Sequence, residues 1–238
     1  MIEIKPSAEL LVPMFVLGTE KQTFEMSTTG AYFQKTIVQP YSLWVYKHLE
    51  ECGRICYKSE HKITEDSYRK FLQGIISRGH EAVLEHVDLT VKIICDRGVS
   101  HEIVRHRVAS YCQESTRYCN YANERFNGEC AFVVPTGFDE DTATRQYKAW
   151  KEAMEIAEAK YKELLELGCT PQMARSVLPN SLKTELVMTA NIREWRHFLK
   201  LRTSTAAHPD MRVVAMKIGD CLKKALPILF DDIDYETR

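Results

Sequence analysis

Arg105, His106 and Arg107 stand in consecutive positions, Ser115 follows after seven intervening residues, and Arg117 and Tyr118 come just beyond it. The guanidinium group is a planar fork that grips anionic oxygens two at a time, so two arginines and an imidazole in so short a span suit a phosphate. Helical neighbours point about 100° apart, so the three could not share one solvated face if a helix carried them. A plain basic surface patch is the alternative reading. The formal net charge of the chain is only -1. That balance argues against nonspecific nucleic-acid binding and makes any anion site a local one.

Further candidates flank the cluster. His80, Glu81 and Glu85 sit just before a strand signal, where loops commonly hold site residues; His80 as a local cap or packing residue is the plainer account. His80 and His86 are six apart, which does not suit a zincin pair four apart on one helix face, so no metal is expected. Arg202 falls in the i, i+3, i+4, i+7 series Trp195, Phe198, Leu199, Arg202, where it must either reach water or meet an anion. Arg193 and His197, four apart, share another face, and Arg175 stands opposite Met173 and Val177, where it can be solvated. No G-x-S-x-G or triad order supports Ser115 as a hydrolytic nucleophile. Its hydroxyl reads as a hydrogen-bonding group. The ten glycines form neither G-x-G-x-x-G nor a Walker loop, so nucleotide binding would rest on side chains.

These residues need a frame. With 238 residues, 45% apolar and 27% charged, the chain can bury a sizeable core and is read as one domain over 1–238. Eight cysteines without C-x-x-C spacing, no leader pattern and no membrane-length apolar run predict a cytoplasmic protein with reduced, mostly buried thiols. Residues 1–40 read as irregular or short-stranded. Helices are expected over Ser42–Cys56, from a Thr64 cap to Gly79, from a Ser100 cap towards Arg105, over Asp141–Leu167, after Thr170-Pro171, and over 192–203 and 208–225. Alternation predicts a strand through Val87–Ile93, with others over Cys130–Val134 and Leu186–Ala190. The expected class is α/β (α+β), a small mixed sheet flanked by helices. One helix is long and amphipathic, with Tyr147, Trp150, Met154, Ala157, Tyr161 and Leu164 on a stripe whose partner is either internal or another subunit.

R-H-R-x7-S over 105–115 with Thr116-Arg117-Tyr118 resembles the signature of flavin-dependent thymidylate synthases. RGHEAVLEH (78–86), ARSVLP (174–179) and NIREWRHFLKLR (191–202) resemble that family's other segments, in the same order. The resemblance implies reductive methylation of dUMP to dTMP, with FAD as cofactor and NADPH and methylenetetrahydrofolate as co-substrates. It also implies a homotetramer with shared active sites and no role for nucleic acid or membrane. On the family's pattern, His80, Glu85, Arg105, His106, Arg107, Val108, Asn191, Arg193 and His197 fall at flavin positions. Glu102, Gln113, Ser115, Arg117, Arg175 and Arg202 fall at dUMP positions, with Arg202, His80 and Arg175 the catalytic candidates. Cys112 is not placed as a nucleophile.

Glu102 and Gln113 exchange the residue types common in the family, which suggests a hydrogen-bonded pair with roles swapped. Residues 15–40 match no part of the family and read as an insertion. A nucleotide-binding module without turnover, or another flavoenzyme on the same scaffold, would use the same arginines. The near-neutral charge and the His80, Glu81, Glu85 group count against the former.

Overall fold

The computed structural model describes residues 1–11, 41–138 and 144–235, and residues 19–26 and 32–39 by their backbone. Its centre is a four-stranded antiparallel sheet ordered β2-β5-β8-β6, formed by Ser7–Leu11, Asp88–Asp96, Lys183–Asn191 and Ser110–Gln113. β1 (Ile2–Ile4) pairs in parallel with β7 (Ala131–Val133), and a bridge from Phe132 to Leu182 ties β7 to the start of β8, so the strand set is mixed. Helices cover the sheet, and the expected α/β class is what the structure shows.

The two central strands alternate strictly between buried and half-buried positions, as period-two chains with one face in a core must. Their register sets Leu89 opposite Ala190, Val91 opposite Met188 and Ile93 opposite Leu186. All six are buried, and the core they begin continues into α1 (Tyr41–Ile55), α2 (Ser67–Ser77), α6 (Ile192–Arg202), α7 (Pro209–Ala225) and α8 (Pro227–Phe230). A smaller cluster of Tyr121, Cys130, Phe132, Ala174 and Leu182 receives Met154 and Tyr161 of α4 (Arg145–Glu166). The α4 stripe therefore packs internally.

Several boundaries differ from expectation for local reasons. Asp66, not Thr64, precedes α2; the Thr64 amide is taken by the Ser67 hydroxyl at 2.9 Å. Asp96, not Ser100, caps α3 (Arg97–Ile103), accepting from the Val99 amide at 2.8 Å, while Ser100 lies within the helix and bonds back to Arg97 O. α3 ends before Arg105, so the Arg-His-Arg run is a connection and not a helix face. Thr144 caps α4, and the expected start at Asp141 lies outside the described residues. α5 is the short Pro171–Ala174 turn.

The strand predicted within 186–190 runs from Lys183 to Asn191, and β6 was not expected. Residues 1–40, read as irregular or short-stranded, hold β1, β2 and, as longer strands than expected, β3 (Thr19–Met26) and β4 (Tyr32–Gln39), an antiparallel hairpin within the stretch read as an insertion, the rest of which lies outside the described residues. The expectation of mostly buried thiols holds for Cys95 and Cys130 only; Cys56 and Cys112 are exposed. Among the described residues no helix is long and apolar enough to cross a membrane.

Strand register places the chemistry. Asp88 at the start of β5 pairs with Asn191 at the end of β8, and Ser110 at the start of β6 pairs with Thr189. Residues just before β5, just before β6 and just after β8 therefore gather at one end of the sheet. Residues just after β6 leave from the other end, about four strand residues or ~13 Å away.

Candidate active site

At the gathering end lies a cavity of about 430 Å³, lined by Glu85, Val108, Asn191, Arg193 and His197 together with Glu81 and Glu194. The first five are residues expected at flavin positions. Asn191 caps α6 by accepting from the Glu194 amide at 2.9 Å. Asn191→Ala is expected to cost about 1 kcal/mol of stability, read by denaturant unfolding, while Asn191→Asp retains most of it.

The acids around the cavity are already paired. Arg193 donates to Glu85 at 2.5 Å, Arg196 and Lys200 approach Glu81 at 3.4 Å, and Glu194 meets His106 Nδ1 at 2.9 Å. Arg105 and Arg107 are exposed, and neither has a carboxylate partner among the described residues. Free guanidiniums beside paired acids suit an anionic ligand. His80 is set by the end of α2: Gly79 takes φ +69°, its amide bonds Ile76 O at 3.0 Å, and the His80 amide bonds Ile75 O at 2.9 Å. This is a Schellman closure, which needs the glycine. The His80 side chain is exposed at the head of the 3-10 segment Glu81–His86, which packs against α1 and α6.

His106 differs from its two neighbours. It is 5% exposed, and both ring nitrogens are engaged within the chain: Nδ1 with Glu194, and Nε2 accepting from Arg202 Nε at 3.2 Å. Both nitrogens of this residue, expected at a flavin position, are therefore committed to partners within the chain. Burial, with the nearby Arg202 charge, holds the His106 pKa below the ordinary value against the opposing pull of Glu194. His106, Glu194 and His197 do bring possible metal-ligand atoms within 4.8 Å of one another. The Arg202 guanidinium on Nε2 already supplies the positive charge there.

Arg202 also donates from Nη1 to the Glu102 carboxylate at 2.8 Å and from Nη2 to Glu102 O at 3.0 Å. The anion that the apolar stripe demanded is thus Glu102, and Arg202 does not reach for water. Glu102 and Gln113 do not bond each other: Gln113 donates to Ser100 Oγ at 3.0 Å and Thr184 Oγ1 at 3.2 Å. The expected swapped pair is replaced by two separate links, because Glu102 turns towards α6 while Gln113 faces α3 and β8.

Ser115, Arg117 and Arg175 form a second group beyond the other end of β6. The Arg117 amide donates to Ser115 Oγ at 3.3 Å, its Nε to Gln172 at 2.9 Å, and Arg175 to Thr116 Oγ1 at 3.0 Å. Glu114 fastens this turn, accepting from Tyr121 at 3.0 Å, from Lys183 at 3.0 Å and from the Glu185 amide at 3.1 Å. No hydrogen bond among the described residues joins the two groups. The R-H-R-x7-S spacing brackets strand β6, which holds them apart.

Glu194, Glu114 and Gln172 were not anticipated. The Asn191-x-x-Glu194 pattern reads as a capping box that would direct the Glu194 carboxylate to the Asn191 amide. The carboxylate turns to His106 instead, 88 positions away in sequence.

Residues 45–228 match the family described as thymidylate synthase complementing protein. The flavin-dependent thymidylate synthase of Pyrococcus abyssi is 40% identical over 168 residues, covering 70% of this chain and 67% of that protein. That of Corynebacterium glutamicum is 36% identical over 207 residues, 79% of this chain and 80% of the other, and that of Geobacter sulfurreducens 34% over 187 residues, 76% and 78%. The family match takes in both groups of site residues and begins after the β3–β4 hairpin. With cavity, arginines and matched segments in register, this chain belongs to the thymidylate synthase complementing protein family.

Proposed function

We propose that this chain converts dUMP to dTMP by flavin-dependent reductive methylation, with methylenetetrahydrofolate as carbon donor and NADPH as reductant. The observation that carries the reading is the cavity at the end of the sheet. Glu85 and Glu81 are paired with cations of the chain and Glu194 is hydrogen-bonded to the His106 ring, while Arg105 and Arg107 have no carboxylate partner among the described residues and are left for an anion. A dinucleotide needs cations for its phosphates and mixed donors and acceptors for its ring edge. Arg105 and Arg107 supply the former; Asn191, Arg193 and His197 supply the latter. His80 and Glu85 complete the rim. When bound, FAD supplies a two-electron carrier between the nicotinamide and the pyrimidine.

On the substrate side, Ser115, Arg117 and nearby amides provide charge-assisted donors for a nucleotide phosphate. Arg202 uses three of its five N–H donors within the chain, one to His106 and two to Glu102. Two remain, one on each terminal nitrogen, and we assign them to the uracil carbonyls. Negative charge grows there as the ring accepts electrons, and a cation already in place stabilises it. Arg175 serves the pyrimidine edge, and Glu102 and Gln113 set the wall between the groups.

The separation of the two groups within one chain supports a site completed by another copy, in a homotetramer. A cytoplasmic location and action as one domain over 1–238, with 15–40 as an insertion, belong to the same reading.

The test is dTMP formation by the purified protein from dUMP, methylenetetrahydrofolate and NADPH, with and without added FAD. FAD-stimulated product is the expected result. A folded, flavin-loaded protein that makes no dTMP would overturn the assignment.

A further inference from the structure

We propose that Glu194 is a positioning residue for Arg202, acting through the His106 ring, and that it sets how firmly Arg202 is presented to the substrate. The proposal rests on the function argued above. Its geometry is a chain of contacts: Glu194 Oε1 to His106 Nδ1 at 2.9 Å, His106 Nε2 to Arg202 Nε at 3.2 Å, and Arg202 Nη1 to Glu102 at 2.8 Å. An arginine nitrogen only donates, so His106 Nε2 must be the acceptor. A neutral imidazole has one acceptor nitrogen, which leaves the proton on Nδ1, directed at the Glu194 carboxylate. Glu194 thus selects the tautomer that lets the ring hold Arg202.

The surroundings fix the ring. His106 packs against Phe198 with centroids 4.8 Å apart and against His197 at 5.8 Å. Its carbonyl accepts from the Tyr111 hydroxyl at 2.6 Å. The charged and titratable groups facing it are Glu194, His197 and Arg202 from α6, Tyr111 from β6 and, through Arg202, Glu102 from α3. Burial keeps the ring neutral near pH 7. Without the carboxylate, a buried Nδ1–H has no acceptor, and the other tautomer would set Nε2–H against the Arg202 Nε–H. Protonation by acid has the same consequence.

Glu194 also lines the cavity, so the test must separate positioning from direct ligand contact. Glu194→Gln retains an oxygen that accepts from Nδ1–H, whereas Glu194→Ala does not. The expected result is a fall in kcat of about tenfold to a hundredfold for Ala, since a misplacement of about 1 Å can cost about a hundredfold, and a value much closer to wild type for Gln. ¹⁵N resonances of labelled histidine should show the Nδ1–H tautomer at His106 in wild type and Gln, and a mixture in Ala. In an Arg202→Lys background, which has no Nε–H, Glu194→Ala should add little further loss, because the two residues act as one unit.

Equal losses in Gln and Ala, additive losses with Arg202→Lys, or an unchanged tautomer in Ala would each overturn the proposal. The tautomer measurement needs no turnover. A wild-type protein that makes no dTMP would therefore count against the assigned reaction while the resonances still judged the positioning role.

Discussion

Arg202→Ala is expected to reduce dTMP formation by about two to three orders of magnitude, the size of effect seen when a preorganised donor to developing negative charge is removed. The side chain stands at the end of α6 and is held on three sides by the chain itself, by His106 through Nε and by Glu102 through both terminal nitrogens. Such a cation pays no reorganisation cost when charge appears on the substrate. Lysine is a point charge without the fork and cannot reproduce that grip, so Arg202→Lys should recover only a small part of the rate. The substitution also leaves His106 Nε2 buried without its donor, for a stability loss of roughly 1–3 kcal/mol. Steady-state kcat for dUMP, measured beside thermal unfolding, checks both. A kcat within about threefold of wild type would remove Arg202 from the chemistry.

Asp232→Ala is expected to destabilise the fold strongly although it lies outside the apolar core. Arg196 is 1% exposed and donates to Asp232 from two nitrogens at 2.6 Å each, as well as to Leu229 O. Removing one partner of a buried pair typically costs about 3–5 kcal/mol, because the other charge stays buried and uncompensated. The Asp232 side chain is 44% exposed and Glu81 lies 3.4 Å from Arg196 Nε, so the expected loss is smaller, about 2–3 kcal/mol.

Burial pushes the Asp232 carboxyl pKa up, but the bonds and charge of Arg196 outweigh it, and the net shift is down. A depressed carboxylate stabilises the fold fully above the unfolded pKa, near ~3.9, and its contribution is lost as pH falls through the lower folded value. The melting-temperature gap between wild type and Asp232→Ala should therefore be constant near neutrality and close below about pH 4. A gap that does not narrow in acid would show that Asp232 acts through packing and not through its charge. His106 titrates in the same direction but in a higher pH window. Its lowered pKa makes the folded state lose stability as pH drops below about 6.5, where the unfolded chain takes up the proton first.

Much of this molecule is legible before folding. Alternation through Val87–Ile93 announces β5, the spacing from Tyr147 to Leu164 announces α4, and Thr170-Pro171 announces α5. These signals are local, because backbone period and capping chemistry depend on neighbours a few residues apart. β6 escaped because Ser-Tyr-Cys-Gln offers no apolar alternation; it is an edge strand held by its pairing with β8. Five cavity residues were named from motif resemblance, yet nothing local in those segments says that they meet. Glu102 and Arg202 are 100 positions apart; the apolar stripe shows that Arg202 needs water or an anion, but nothing local names Glu102 as that anion.

The sequence by itself determined the chemical repertoire: free arginines near a serine, acids spaced for a rim, and apolar periods that must find a core. Only the tertiary structure decided which of them act together. Pairing of Asp88 with Asn191 and of Ser110 with Thr189 brings three distant segments to one end of the sheet and sends Ser115 and Arg117 to the other. A slip of one residue in those ladders would turn buried Val91 and Met188 outward. The same burial that makes the core fixes the register, and the register is what assembles the cavity.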